Sequence, residues 1–523
     1  MTVPAPPPAT LTGVRVAETA PRAVLSRALT VPLVLGLVAV LPGAVATAPG
    51  PGPHDTAYWL QLATCAYAGT RLAAMVLTAR RRLIQSAFWL FVYIAMGIAP
   101  LAQTVLDATP TPVVGPRADT VLATALVLAG LVAFDVGAVL ARHRPPLRSR
   151  LHERHRPAAT VHRPRLYLLV AVALVGSGLL VVRLGGPAVF FSNRQEISES
   201  VAGATAGAGA EAASEAGSAF LRGFGTVPAL LALLFLTRWL VTSRAARRRP
   251  LVPLLWLAMF GLNAVVNNPV SNPRYWFLTV LFSLLFTAFP RSPVMYRAAL
   301  ALGVAIALVV FPFADKFRYE EGADRPQPSG SLLEPLTMKD YDQTGMLANT
   351  ITFVGSGEGH SYGRQLTGTV LFFVPRSVWT GKPHDPGTRV GQWMGMPYPN
   401  LSSPLWAELW LDFGPLGMAL GFAGVGYAAA RADRRYARRT EEEGAARDAG
   451  EAGKSGGPDG SGGPGGPVEG PGSVLAVVVP LVAGYSFILL RGSLLQGMGR
   501  VGIAVVCVLL VTTFRRGRES QPR

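Results

Sequence analysis

The chain reads as an all-α polytopic membrane protein of about twelve transmembrane helices, with a large, partly helical external loop between late spans. Three observations predict this. Half of the 523 residues are hydrophobic and 15% are charged, whereas a soluble domain carries about 25% charged residues. The apolar residues gather in blocks of about 20, the length that crosses a hydrocarbon core. The arginines fall between the blocks in alternation, as topology signals do.

The blocks lie at roughly 28–48, 57–78, 83–106, 118–141, 165–184, 219–241, 251–268, 274–290, 298–314, 405–429, 473–492 and 499–514. The first follows a Pro- and Ala-rich tail, 1–27, with Arg15, Arg22 and Arg27. It resembles a signal peptide, but its length and the many later blocks favour a retained anchor.

Cytoplasmic loops are enriched in Lys and Arg. With the N-terminus inside, Arg80 to Arg82, Arg142 to Arg165, Arg244 to Arg249, Arg291 with Arg297, Arg431 to Arg439 and Arg515 to Arg518 all fall inside. Segments 49–56, 107–117, 185–218, 269–273, 315–404 and 493–498 then fall outside. Both ends are expected in the cytoplasm, with the chain in the plasma membrane. The organisation expected is a cytoplasmic tail (1–27), about nine helices (28–314), an external loop (315–404), one helix (405–429), a flexible cytoplasmic linker (430–472), two last helices (473–514) and a tail (515–523).

The net charge of +18 would suit nucleic acid in a soluble protein. Here the arginines are read as topology signals, and no nucleic-acid motif accompanies them. Cys65 and Cys507 lie inside blocks and make no disulfide framework. Gly453-Lys454-Ser455 imitates the end of a phosphate loop, but Asp448 stands where its first Gly belongs. Four of the seven histidines (143, 152, 155, 162) sit among arginines, and no zinc-type spacing occurs, so no metal or cofactor is expected. Asp340-Tyr341-Asp342 spells a metal–nucleotide motif but falls on the outer face.

Chemistry is expected in the external segment 315–404, about 90 residues long. It is rich in aromatics, including Trp379, and 366–374 is apolar enough for a re-entrant helix. Arg364, Arg376, Lys382 and Arg389 cluster there, on a face where topology does not ask for cations. Arg forks bind phosphate bidentately, and aromatic faces pack on sugar rings. Arg194, Arg274 and Arg491 sit at outer span ends. The carboxylates available as a base are Glu408 and Asp412, four apart on one helix face, with Asp385 and His384 as alternatives. Arg71 and Asp135 lie within the membrane and are expected to pair in a structural role.

Phe373-Val374-Pro375-Arg376-Ser377-Val378-Trp379-Thr380-Gly381-Lys382-Pro383, then Ser402-Ser403-Pro404, Glu408 and Phe413-Gly414, resembles the signature of Wzy-type oligosaccharide repeat-unit polymerases, the O-antigen polymerase family. The segments around Arg194, Arg274 and Arg491 are similar to that family's short motifs. The resemblance spans roughly 185–500. It implies a C-type glycosyltransferase fold and use of no nucleotide sugar. It implies transfer of a growing glycan from undecaprenyl diphosphate to a lipid-linked repeat unit, with a chain-length regulator as a further partner. By this resemblance Arg194, Arg274, Arg376, Lys382 and Arg491 contact diphosphate or glycan, and Glu408 is a base or positioning residue. With the loop chemistry, the candidate set is Arg376, Glu408 and Asp385 as catalytic groups. Arg194, Arg274, Arg364, Lys382, Arg389, Arg491 and Trp379 are then substrate contacts. The alternatives are an O-antigen-ligase-like transferase, which shares donor and fold, and a flippase or transporter of lipid-linked glycans.

Overall fold

The computed structural model describes residues 28, 30–143, 158–192, 211–310, 333–452 and 472–515. It is mostly helical. Each of the twelve apolar blocks coincides with a helix. Seven are long and apolar enough to cross a membrane: α2 (Thr56–Thr78), α3 (Leu83–Leu106), α4 (Arg117–His143), α5 (Arg163–Arg183), α6 (Glu211–Thr242), α13 (Leu405–Ala452) and α15 (Leu494–Val511). Five are shorter: α1 (Thr30–Ala46), α7 (Leu251–Val266), α8 (Arg274–Ala288), α9 (Pro293–Leu308) and α14 (Leu475–Arg491). Local chemistry bounds three of them. Asn267, Asn268 and Pro269 stop α7, and Pro273 and Pro293 mark the starts of α8 and α9. At 1.5 Å per residue α8 is about 22 Å long, short of a hydrocarbon core of about 30 Å. The segment expected outside supplies, within its described part 333–404, three small helices, α10 (Gln343–Phe353), α11 (Arg364–Val370) and α12 (Pro386–Trp393). The helix expected over 366–374 therefore ends by Leu371.

Two apolar clusters make the core. One joins α2, α3 and α4 to α8, α9 and α13; the other joins α5, α6 and α7 to α15. Helices α8 and α14 contribute to both and lie side by side at the centre, where the Thr279 hydroxyl donates to Gly484 O at 3.0 Å. Helices α4 and α13 cross closely because Gly137 meets Ala423 O and Gly426 meets Phe134 O, leaving no room for a Cβ. Gly426→Leu should therefore cost more than the usual 1–3 kcal/mol of overpacking. The expected result is loss of the monodisperse peak in detergent; a wild-type elution profile would contradict this packing.

The expected buried pair is present. Arg71 Nη2 lies 2.6 Å from Asp135 Oδ1, Tyr67 donates to the other carboxylate oxygen at 2.6 Å, and the guanidinium stacks over Trp89.

Two expectations need correction. The segment read as a linker from 430 is helix as far as Ala452. It is rich in alanine, and Arg438 and Arg439 pair with Glu442 at 3.6 and 3.2 Å along the helix. Glu443 then ties the helix back by accepting from Arg238 and from the Ser473 N–H. The phosphate-loop look-alike at 453–455 lies outside the described residues. The second correction concerns strands, which were not expected. Thr512–Arg515 (β2) pairs antiparallel with Ala158–Val161 (β1). The β-branched Val161, Thr512 and Thr513 suit that ladder.

Candidate functional site

The turn between α14 and α15, Arg491-Gly492-Ser493, is the hub of the site. Arg491 donates through Nη2 to Asp340 Oδ1 at 3.1 Å and lies over the Tyr275 ring, 5.2 Å from its centroid. Arg274, at the first turn of α8, donates to Asp340 Oδ2 at 2.6 Å and is 5% exposed. Two guanidinium groups thus share one carboxylate, leaving one positive charge. Asp342, the next carboxylate, is buried and accepts from Ser402 at 2.6 Å. Burial pushes its carboxyl above the usual range, with Arg491 and the Ser402 hydroxyl opposing.

Beneath this cluster is an apolar cavity of about 120 Å³ between α3, α8 and α9, lined by Phe91, Leu278, Phe282 and Ile306 among others. Tyr275 and Tyr341 contribute to its wall.

On the other side of the hub lie the carboxylates expected to do acid–base work. Each of them caps a helix. Glu408 is 3% exposed and accepts the Leu494 N–H of α15 at 2.7 Å. Asp412 accepts the Gln365 and Leu366 N–H groups of α11 at 3.1 and 2.8 Å, and the Ser361 hydroxyl at 2.6 Å. Asp385 caps α12 by accepting the Thr388 N–H at 3.2 Å. A carboxylate at a helix N-terminus satisfies orphan donors and complements the dipole. The shared helix face of Glu408 and Asp412 is real, and each serves a different neighbouring helix.

Burial pushes the Asp385 carboxyl above its usual range, against the Ser493 hydroxyl and the Thr388 and Gly387 N–H groups. A raised folded-state value means that the group's stabilisation is complete below the ordinary carboxylate range and is lost as pH rises through the raised value. Asn caps as well as Asp, so Asp385→Asn keeps the cap and removes the titration. Its thermal midpoint should fall less steeply than wild type above about pH 4; parallel pH profiles would contradict this.

The loop cations are held by their own chain. Arg376 donates to Lys382 O and Pro383 O at 2.6 and 3.1 Å, and Lys382 Nζ donates to Phe372 O and Val374 O at 2.7 and 2.9 Å. Burial and the Arg376 charge lower the Lys382 pKa. Arg364 donates to Gly381 O at 2.6 Å. Trp379 lies in the same turn, its N–H bonded to Pro375 O. These residues knit 372–383 into one rigid turn, and Phe372 of that turn rests on Gly502 of α15. Arg389 lies over Phe353 and 3.7 Å from Glu358. Arg194 lies outside the described residues. The structure therefore brings Arg274, Arg491, Glu408 and Asp385 to one hub, and sets Arg376 and Lys382 in the adjoining turn, with Arg364 of α11 donating into it.

Tyr275 was not singled out by sequence; Ser402 entered only as part of the Ser402-Ser403-Pro404 string, and Asp340 only for its Asp-Tyr-Asp spelling and as one of the polar groups of 315–404. The available signal was the adjacency of Arg274 and Tyr275 after Pro273, which starts α8 with a cation and an aromatic together. Among the described residues no group of three or more His, Cys, Asp or Glu could hold a metal ion. Comparison of the chain with known proteins finds no matching family, no matching characterised protein and no matching solved structure.

Proposed function

We propose that the protein is a membrane glycosyltransferase that polymerises undecaprenyl-diphosphate-linked oligosaccharide repeat units on the outer face of the plasma membrane. The observation that carries this reading is the pair Arg274 and Arg491 on the single carboxylate Asp340, placed over an apolar cavity. Two guanidinium groups beside a hydrocarbon-lined cavity suit an anionic headgroup on a lipid chain. The PRSVW–GKP string of the adjoining turn supports the polymerase assignment by resemblance.

Twelve crossings with both ends inside agree with how the loops touch. Segments assigned outside contact one another: Asp55 with Arg117 at 2.7 Å, Asn349 with Pro112 O at 2.8 Å, and Gln496 with Asn400 at 3.0 Å. Segments assigned inside do likewise: Arg81 with Arg291 O at 2.6 Å, Arg434 with Ala141 O, and β1 with β2. An odd number of crossings between any such pair would separate them.

In this reading a hydroxyl of the incoming lipid-linked unit attacks the anomeric carbon of the donor glycan, and the lipid diphosphate departs. Cations fixed beforehand stabilise the charge that develops on that leaving group. Glu408 acts as a positioning residue, since its bond to the Leu494 N–H holds the turn that carries Arg491.

Profiling lipid-linked glycans in cells lacking the protein tests the function. Single repeat units on lipid at the outer face are expected. Long chains retained on lipid would indicate a ligase, and single units trapped at the inner face a flippase.

A further inference from the structure

Resting on that reading of the outer-face site, we propose that Arg500 is an anion-binding residue of the site and holds a phosphate of the lipid-linked substrate. Arg500 lies six residues into α15, about 9 Å along the helix from Leu494. Its guanidinium stacks on the Trp276 ring, 4.5 Å from the centroid. No carboxylate, hydroxyl or carbonyl partner reaches it among the described residues, and it is half-buried rather than enclosed. By contrast Arg274 and Arg491 at the hub share Asp340, and Arg376 and Lys382 in the adjoining turn donate to backbone carbonyls.

The stack accounts for only one face of the guanidinium. Its five N–H donors point outward in the plane of the group and are unserved by the ring. Unsatisfied donors at membrane depth are costly, and an intramembrane arginine usually has a functional partner. The platform is built to stay put. Trp276 Nε1 donates to Asn267 Oδ1 at 2.8 Å, and Asn267 donates to Thr226 O and to Asn263 Oδ1 at 3.1 and 2.7 Å. On the α6 side Gly223 faces the Arg500 stem and presents no side chain of its own. Tyr275 and Trp276 are consecutive in α8, and Arg491 and Arg500, nine residues apart across the hub turn, each lie over one of these rings. Asp340 neutralises part of the first, whereas no carboxylate pairs with the second among the described residues, and a guanidinium fork fits a phosphate bidentately.

The test is binding of farnesyl diphosphate to the full-length protein in detergent, read as the ligand-dependent rise of the thermal midpoint. Arg500→Gln should weaken binding at least tenfold. Arg500→Lys, which keeps the charge and loses the fork, should weaken it several-fold and carries the test should the Gln variant not fold. Wild-type affinity in both variants overturns the assignment of Arg500 and leaves the proposed function standing. A wild-type protein that does not bind farnesyl diphosphate overturns both. Inorganic diphosphate bound as tightly as the farnesyl ester, and as dependent on Arg500, overturns the lipid assignment in favour of a free anion.

Discussion

Arg491→Ala is expected to leave the protein inserted and folded while chain extension falls on the order of 100-fold, the loss typical of removing one preorganised charge from a transfer site. Arg491 bonds to Asp340 through its carboxylate, touches the Lys339 carbonyl and covers the Tyr275 ring. A lysine has neither the planar fork nor the stacking face, so Arg491→Lys should restore little. The readout is the ratio of extended to single lipid-linked units at equal protein level. Extension within threefold of wild type in the Ala variant would remove the guanidinium pair from the account. The same substitution leaves Asp340 bonded to Arg274, so the local fold has a remaining anchor and loss of activity can be read as chemistry.

Glu408 carries the second large effect, and it separates two roles. Glu408→Gln keeps an oxygen able to accept the Leu494 N–H, while Glu408→Ala leaves that donor unpaired in a buried site. An unsatisfied buried donor costs about 1–3 kcal/mol. The positioning role predicts that Gln retains activity within several-fold and that Ala loses both stability and activity. A general base would instead lose about 100-fold or more in the Gln variant with the fold intact. Measuring extension and thermal midpoint together for the two variants distinguishes these outcomes.

The helices were legible because hydrophobic block length is a direct consequence of bilayer thickness, and every block became an apolar helix. Their true lengths were less legible. The end of α7 and the start of α8 are set by Asn267, Asn268, Pro269 and Pro273, which a block count smooths over. The continuation of α13 through 430–452 was hidden because charge was read as solvation, whereas Arg438, Arg439 and Glu442 pair along the helix. At the site, sequence singled out cations by the side of the membrane expected for them but not by what each one touches. Arg376 and Lys382 bond to carbonyls only a few residues away, a closure set by the turn itself. Arg274 and Arg491 meet at Asp340 from three distant segments, which no local pattern shows. Arg500 escaped notice because it lies at the edge of an apolar block, and its distinction is the absence of a bonded partner among the described residues.

The most direct test of the central claim is reconstitution of the purified protein in proteoliposomes with single repeat units on undecaprenyl diphosphate and no nucleotide sugar. The account predicts a ladder of longer lipid-linked glycans with release of undecaprenyl diphosphate. Repeat units that remain single, or that cross the bilayer without lengthening, would contradict it.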